Sequence, residues 1–231
     1  MTTIHTLALA LGAATMATPA AAAVATLDFA GDICGAAGDR SCGNGSQIGQ
    51  NYGDGVGVDV SYRSVTEGTG ATFEPFLKFW ATGYGDLDRV VWGGANPAGQ
   101  YAEITFAALA GYELRLTGFD AACYLNRTSC QSFPFSISEI GGGVAASGVN
   151  VPPANGHVSQ ALALGYSTTG YILRWGPDSY DGGLDNIAFD VRAIGNAGVP
   201  EPATWALMIL GFGAVGGAMR RRASGRALAA A

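Results

Sequence analysis

Alternation of apolar and polar positions marks most of the predicted elements of this chain. Val58, Val60 and Tyr62 alternate with polar or small residues, the period of two expected for a half-buried β-strand. Tyr112–Phe119 alternates in the same way. Further strands are predicted at Gln100–Ala107, Phe133–Ile140, Tyr171–Trp175, Leu184–Arg192, Leu77–Trp80, Val90–Trp92 and Val158–Leu164.

The composition between these strands favours an all-β fold. The region is rich in Gly, Thr, Val, Tyr and Phe, and Gly, Asn and Asp residues interrupt it at short intervals, as expected for turns between short strands. No convincing helical pattern separates the strands. The sequence therefore predicts a jelly-roll-like antiparallel β-sandwich of roughly eight to ten strands over residues 24–192.

The N-terminal end resembles an export signal. An apolar segment, Leu7–Ala17, is followed by Pro19 and a run of alanines to Ala23, which is typical of a secretory signal peptide cleaved after a small residue. Residues 1–23 are therefore interpreted as a cleaved signal peptide. An uncleaved anchor is the alternative, since no Lys or Arg precedes the apolar segment.

The C-terminal end contains a second apolar segment. Residues 193–199 are small and polar enough for a linker, and the uncharged run from Ala203 to Met219 has 17 residues, at the short end of what crosses a bilayer. Arg220, Arg221 and Arg222 follow it directly. The positive-inside rule places these arginines and a tail of residues 223–231 in the cytoplasm, with the domain outside. A buried Ala/Gly-rich helix of a soluble domain is the alternative.

The order of features in this segment resembles a known sorting signal. Pro200, Glu201 and Pro202 precede Trp205 and Ala206, and the apolar run and arginines complete the pattern. Residues 200–222 are similar to the PEP-CTERM sorting signal in its PEPxxWA variant. The resemblance extends to the body of the chain, in phrases such as residues 83–87 and 183–187 that resemble other PEP-CTERM ectodomains; it implies a jelly-roll fold but no activity.

The PEP-CTERM resemblance implies a partner and a location. It implies a Gram-negative host, in which exosortase processes an inner-membrane-anchored precursor near the Pro-Glu-Pro sequence. The mature protein is then expected at the cell surface or outside the cell, in association with exopolysaccharide. A sorting helix of this kind, like a lipid-anchor signal, is expected to be removed from the mature protein.

The charge of the domain excludes one class of partner and suggests a cation. Residues 24–199 carry 17 acidic and 8 basic side chains, an acidic balance that argues against nucleic acid binding. Hard oxygen ligands, which calcium prefers, collect near Asp185 and Asn186, and jelly-roll topology would bring Asp28 of the first strand beside them. These three residues predict a structural calcium site linking the terminal strands. Ordinary Asx turns are the alternative.

The four cysteines fall into two close pairs, Cys34 with Cys42 and Cys123 with Cys130. In an exported protein this spacing predicts two local disulfides. Four cysteines permit three pairings, and free or metal-binding thiols are the alternative.

Catalytic signals are weak. No nucleophile elbow, zinc-binding helix or phosphate loop is present, and His157 is expected to be a surface residue.

Five aromatic side chains could either stack on sugar rings or form part of the core: Trp80, Trp92, Trp175, Tyr84 and Tyr180. The sequence predicts a non-enzymatic surface or matrix protein associated with carbohydrate. The alternatives are a secreted polysaccharide hydrolase, whose paired carboxylates sequence cannot reveal, and a purely structural surface component.

Overall fold

Twelve β-strands make up most of the computed structural model, which describes residues 23–31, 33–34, 42–93, 99–124, 130–194 and 207–213. Residues 21–195 form one compact unit, which contains all twelve strands. The strands are β1 (Ala23–Leu27), β2 (Val58–Thr66), β3 (Thr72–Glu74), β4 (Lys78–Trp80), β5 (Val90–Trp92), β6 (Gln100–Ala108), β7 (Tyr112–Cys123), β8 (Phe133–Glu139), β9 (Val144–Asn150), β10 (Val158–Ala161), β11 (Gly170–Trp175) and β12 (Gly182–Ala193).

The strands form two six-stranded antiparallel sheets. Sheet I has the order β10-β7-β12-β5-β4, with β1 also paired to β12. Sheet II has the order β3-β2-β6-β11-β8-β9. Their apolar faces contribute to one core, so the all-β sandwich expected from the sequence is confirmed.

The core follows the period of two that the sequence shows. In β2 the side chains of Val58, Val60 and Tyr62 are buried, and Asp59 and Ser61 between them are exposed. Trp175 of β11 is fully buried, and its Nε1 donates a hydrogen bond to the Gly182 carbonyl oxygen at 2.9 Å. This bond ties the core of sheet II to the start of β12 in sheet I.

The first and last strands lie side by side, as predicted. β1 pairs antiparallel with β12 from Ala23↔Val191 to Leu27↔Ile187. Asp28, however, follows the end of β1 instead of lying within a strand, and Phe29 has a positive φ of 47°. The chain therefore turns at Phe29, whose buried ring belongs to the core while Asp28 stays exposed.

Strand β12 is irregular at its centre. β5 pairs with it at Leu184, and β1 pairs with it from Ile187 onward, so Asp185 and Asn186 lie between these two neighbours. On the opposite edge the register with β7 shifts between Asp185 and Ala188. Bulges of this kind re-aim side chains and are common next to functional sites.

Several predicted features lie outside the described residues. These are most of the signal peptide, residues 195–199 of the linker, the tail and every named residue of the sorting signal: Pro200, Glu201, Pro202, Trp205, Ala206, Arg220, Arg221 and Arg222. Residues 207–213 are α-helical. No helix within the described ranges is long and apolar enough to cross a membrane.

Candidate functional site

The outer face of sheet I carries two groups of chemically distinctive side chains. Val91, Ala121 and Leu184 belong to the main core, so their neighbours along each strand point to the opposite face. On that face lie an acidic group around Asp185 and a cluster of aromatic rings around Trp92.

The acidic group starts from a pair of aspartates. Asp120 of β7 and Asp185 of β12 are directly opposite each other in the antiparallel register. The Asn186 amide nitrogen donates to Asp120 Oδ2 at 2.9 Å, and the Asn186 backbone N–H donates to Asp185 Oδ1 at 2.7 Å. Asn186 has φ of 49°, a left-handed conformation that Asn tolerates better than most residues. The bulge thus brings Asn186 to both acids, with its side-chain amide on Asp120 and its backbone N–H on Asp185.

Asp185 has a strongly raised pKa. It is only 6% exposed, and burial raises its pKa from 3.8 to about 7, with further increases from the charges of Asp120 and Asp28. The Asn186 backbone hydrogen bond and the charge of Arg89 oppose the rise. This carboxyl group therefore holds its proton to a higher pH than an ordinary aspartate does.

Asp28 and its neighbour Tyr52 complete the acidic group on the side of β1. Tyr52 donates from its hydroxyl to Asp28 Oδ1 at 3.3 Å, and the Ala30 N–H donates to the same oxygen at 3.0 Å. Burial, followed by the charge of Asp28, raises the pKa of Tyr52 to about 12. Tyr52 therefore stays protonated as a hydrogen-bond donor.

The structure thus brings together Asp28, Asp185 and Asn186, the three residues proposed for calcium. It adds Asp120, which nothing in the sequence pattern singled out. In the part of the chain that the structure describes, no group of three or more His, Cys, Asp or Glu side chains is arranged to hold a metal ion.

His157 lies on the same face, between two aspartates. Its Nδ1 is 2.7 Å from Asp86 Oδ1, and its Nε2 is 3.9 Å from Asp120 Oδ1. The hydrogen bond to Asp86, followed by the charge of Asp120, raises the pKa of His157 against an opposing effect of burial. Ser159 also donates to Asp120 Oδ1, at 2.6 Å. His157 is thus a partner of the acidic group and not an isolated surface residue.

Five aromatic side chains line a cavity of about 100 Å³ next to the acidic group: Trp80, Tyr84, Trp92, Tyr124 and Tyr180. We call it the aromatic cavity. The rings of Trp80 and Trp92 meet at 89°, and those of Trp92 and Tyr180 meet at 79°. Trp80 also meets Tyr124 at 87°. The rings therefore stand as walls around a space and do not form a flat platform.

Backbone contacts hold these walls in place. Tyr84 donates from its hydroxyl to the Tyr180 carbonyl oxygen at 2.9 Å. Burial, followed by the charge of Asp181, raises the pKa of Tyr84 well above its ordinary value, so this donor is permanent. The Tyr124 N–H donates to the Asp181 carbonyl oxygen at 2.9 Å. Four of the five aromatics proposed for sugar stacking come together here; Trp175 is in the core instead, and Tyr124 was not foreseen.

Both predicted disulfides are confirmed. Cys34 is bonded to Cys42 and Cys123 to Cys130, with Cα–Cα distances of 5.3 Å and 5.5 Å. The second bond fixes the end of β7 at the residue before Tyr124, so it lies beside the aromatic cavity.

The C-terminal segment matches a known motif. Residues 198–222 match the family model described as the PEP-CTERM protein-sorting motif. This segment is a PEP-CTERM sorting motif. It covers 25 residues near the C-terminus and contains every sorting residue named from the sequence. A PEP-CTERM motif indicates an exported protein that exosortase sorts to the cell envelope or surface. No curated protein matches the chain.

Proposed function

We propose that this chain is a non-enzymatic surface or matrix protein of a Gram-negative bacterium, and that its jelly-roll-like sandwich associates with exopolysaccharide. The precursor carries a cleaved signal peptide and a membrane-spanning sorting helix that exosortase removes. The observation that carries the proposal is the PEP-CTERM motif at residues 198–222, attached to a disulfide-bonded β-sandwich. Disulfides of this kind persist outside the cytoplasm.

The outer face of sheet I supports carbohydrate as the partner. Sugars present hydroxyl groups and apolar ring faces together, and sugar sites combine aromatic side chains with a few placed polar groups. This face combines the aromatic cavity with the carboxylates of Asp120 and Asp185 and the amide of Asn186. The two components meet where β5, which carries Trp92, pairs with β12, which carries Asp185 and Asn186.

Hydrogen bonding at Asp120 supports binding over catalysis. Its Oδ1 accepts from Ser159 and its Oδ2 accepts from Asn186. Both oxygens of Asp120 are thus engaged by neighbouring side chains, whereas a carboxylate that activates water must keep an oxygen within hydrogen-bond reach of that water.

One observation favours a polysaccharide hydrolase as the second candidate. A glycosidase needs one carboxyl group that stays protonated near neutral pH and another that stays ionised. Asp185 of β12 has a pKa of about 7 and faces Asp120 of the paired strand β7. Release of reducing ends from the host exopolysaccharide, lost in Asp185→Asn, would establish the hydrolase and overturn the non-enzymatic proposal.

A structural calcium ion at Asp28, Asp185 and Asn186 is part of the proposal. The supporting observation is that β1 and β12 pair directly, so residues far apart in the chain meet. The charges of Asp28 and Asp120 both disfavour ionisation of Asp185. A divalent cation would relieve this repulsion, and oxygen ligands of this type suit calcium.

The experiment that tests the proposed function is fractionation of the native host. Mass spectrometry of the surface-displayed protein should show the loss of residues 1–23 and of everything after the Pro-Glu-Pro region. The protein should also cofractionate with exopolysaccharide. Replacing Pro200 and Pro202 with alanine should trap the precursor in the membrane, whereas Arg226→Ala, outside the matched segment, should not. A mature protein that still ends at Ala231 would contradict the sorting, and absence from the polysaccharide fraction would contradict the association.

A further inference from the structure

Trp92, which lines the aromatic cavity, carries a buried donor without a partner among the residues that the structure describes. The side chain is 6% exposed, and no described residue accepts a hydrogen bond from its Nε1. Buried indole N–H groups almost always find an acceptor. Trp175 shows the ordinary case, since its Nε1 donates to Gly182. Trp92 therefore keeps a donor that an acceptor on a bound ligand would satisfy.

A second unsatisfied group lies beside Trp92. The Gly93 N–H donates to the Ser179 carbonyl oxygen at 2.8 Å, which joins the residue after Trp92 to the residue before Tyr180. Ser179 is 1% exposed, and its Oγ also has no hydrogen-bond partner. One unsatisfied group thus belongs to Trp92, and the other belongs to Ser179, the residue before Tyr180. Both Trp92 and Tyr180 line the cavity.

The size of the cavity limits what can enter it. Its volume is about 100 Å³, whereas a cavity of about 150 Å³ in another protein holds one benzene molecule. A complete hexose is larger than benzene and cannot be enclosed here. A substituent that projects from a sugar ring can enter, while the ring itself stays outside, on the face shared with the acidic group.

The chemistry of the walls selects the kind of substituent. The ring faces and edges favour a small apolar group. The Trp92 N–H requires that this group also carry a hydrogen-bond acceptor. A quaternary ammonium group also fits aromatic cages, but it offers no acceptor to this N–H. The ammonium of Lys78 already lies 5.8 Å from the centre of the Trp92 ring. An acetamido group supplies both parts, because its methyl packs against the rings and its carbonyl oxygen accepts from Trp92.

We propose that the aromatic cavity binds the acetamido group of an N-acetylated amino sugar in a surface polysaccharide. The carbonyl oxygen of the acetamido group accepts the hydrogen bond from Trp92 Nε1, and its methyl group contacts the rings of Trp80, Tyr124 and Tyr180. This inference rests on the proposed carbohydrate association and names the substituent that the association recognises.

The test compares sugars with and without the acetyl group, in about 0.5 M salt so that the ammonium groups left by de-N-acetylation gain little from the acidic surface. The processed, exported protein is titrated by calorimetry with a hexamer of N-acetylglucosamine and with the same hexamer after de-N-acetylation. Monomeric N-acetylglucosamine, N-acetylgalactosamine and N-acetylmannosamine are titrated in parallel to cover other ring stereochemistries. We expect at least tenfold tighter binding of one or more acetylated sugars than of their de-N-acetylated forms. This is the fold-change that one well-made hydrogen bond to a buried donor supports.

Two variants make the same chemical change at different places. Trp92→Phe keeps an aromatic wall but removes the unsatisfied N–H, so the preference for acetylated sugars should fall at least tenfold. Trp175→Phe removes an indole N–H that already has a partner, so it should keep the preference while lowering the melting temperature. Both variants lose buried ring volume and should melt below the wild type, so the preference for acetylated sugars is the readout that distinguishes them.

The outcomes separate this inference from the proposed function. Equal binding of acetylated and de-N-acetylated sugars, or a preference that survives in Trp92→Phe, overturns the acetamido site. Failure of all acetylated sugars to bind at millimolar concentration also overturns it. In each case cofractionation with the host exopolysaccharide decides independently whether the carbohydrate association stands.

Discussion

Asp185 faces Asp120 across the β7–β12 pair, and Asn186, the next residue of the bulge, donates a hydrogen bond from its side-chain amide to Asp120. The bulge therefore keeps two carboxyl groups close together on one face of sheet I. Burial and the neighbouring charges make Asp185 the acid that holds a proton near neutral pH. Both the proposed calcium site and the second candidate function depend on this pair.

Replacement of Asp185 should stabilise the domain in a pH-dependent way. Its pKa is about 7 in the folded state against 3.8 ordinarily, so between these values the folded protein binds more protons than the unfolded chain. Its contribution to stability is complete below about pH 4 and is lost as pH rises through 7. In chelator, Asp185→Asn should leave stability nearly unchanged at pH 4. At pH 8 it should raise stability by roughly 1 kcal/mol after solvent screening, about 2–4 °C in Tm.

Thermal melts from pH 4 to pH 9 measure this difference. Asp59→Asn is the matched control, because it makes the same chemical change at an exposed carboxylate of sheet II. A stability difference for Asp185→Asn that does not change with pH would contradict the raised pKa.

Calcium should reverse the sign of the Asp185 effect. Binding to the folded state alone raises stability by about 2.7 kcal/mol at a hundredfold excess over Kd, so the wild-type Tm at pH 7.5 should be higher in millimolar calcium than in chelator. Asp28→Ala and Asp185→Ala should each abolish this increase, whereas Asp59→Ala should retain it. Equal melting of the wild type in calcium and in chelator would show that the site does not exist.

Regular alternation made much of the fold predictable. β2, β6, β8 and β11 are close to the predicted ranges because one face of each meets the core. β9 was missed because most of its side chains are at least partly exposed and it has no apolar alternation to detect. β3 has only three residues, which is too short for an alternating pattern to be recognised in the sequence. The two disulfides were predictable from spacing in an exported chain.

The candidate site was predictable only in part. The pairing of terminal strands could be anticipated from fold class, which brought Asp28 to Asp185. The partners Asp120, His157 and Tyr124 could not, because each reaches the site through tertiary pairing with a distant strand or loop. His157, for example, contacts Asp86, which is 71 residues earlier in the chain. An isolated histidine in a polar segment carries no signal of such a partner.

A further prediction concerns the buried acid of sheet II. Glu103 of β6 is 1% exposed and lies between two cross-strand neighbours, Arg63 of β2 and Arg174 of β11. Arg63 Nε and Arg174 Nε each donate to a different carboxylate oxygen at 2.6 Å. Either arginine alone can still neutralise Glu103. We therefore expect Arg63→Met and Arg174→Met to cost at most about 1 kcal/mol each, because both side chains are partly exposed.

The double variant should lower the free energy of unfolding by far more than the sum of the two single changes. Without either arginine, Glu103 becomes a buried carboxylate with no counter-charge, for which a loss of about 3–5 kcal/mol is typical. Urea melts of the four proteins give the coupling energy directly. Adding Glu103→Gln to the double variant should recover part of the loss. Simple additivity would show that the carboxylate does not depend on these two partners.

The two disulfides should differ in their effect on the aromatic cavity. Cys123–Cys130 fixes the end of β7 immediately before Tyr124, whose ring contacts Trp80 and Tyr84 with centroids at 5.8 Å and 5.1 Å. In the chain-entropy model each short loop contributes on the order of 2–3 kcal/mol. Paired replacement by serine should therefore lower the urea midpoint similarly for both disulfides. Only the loss of Cys123–Cys130 should also weaken binding of acetylated sugars, because Tyr124 then loses its covalent support.

Calorimetry on the two double-serine proteins measures this difference at a temperature where both are folded. The Cys34→Ser/Cys42→Ser protein is the control. Equal affinity in the two proteins would show that the hydrogen bond from Tyr124 to Asp181 and the ring contacts hold that wall without the disulfide.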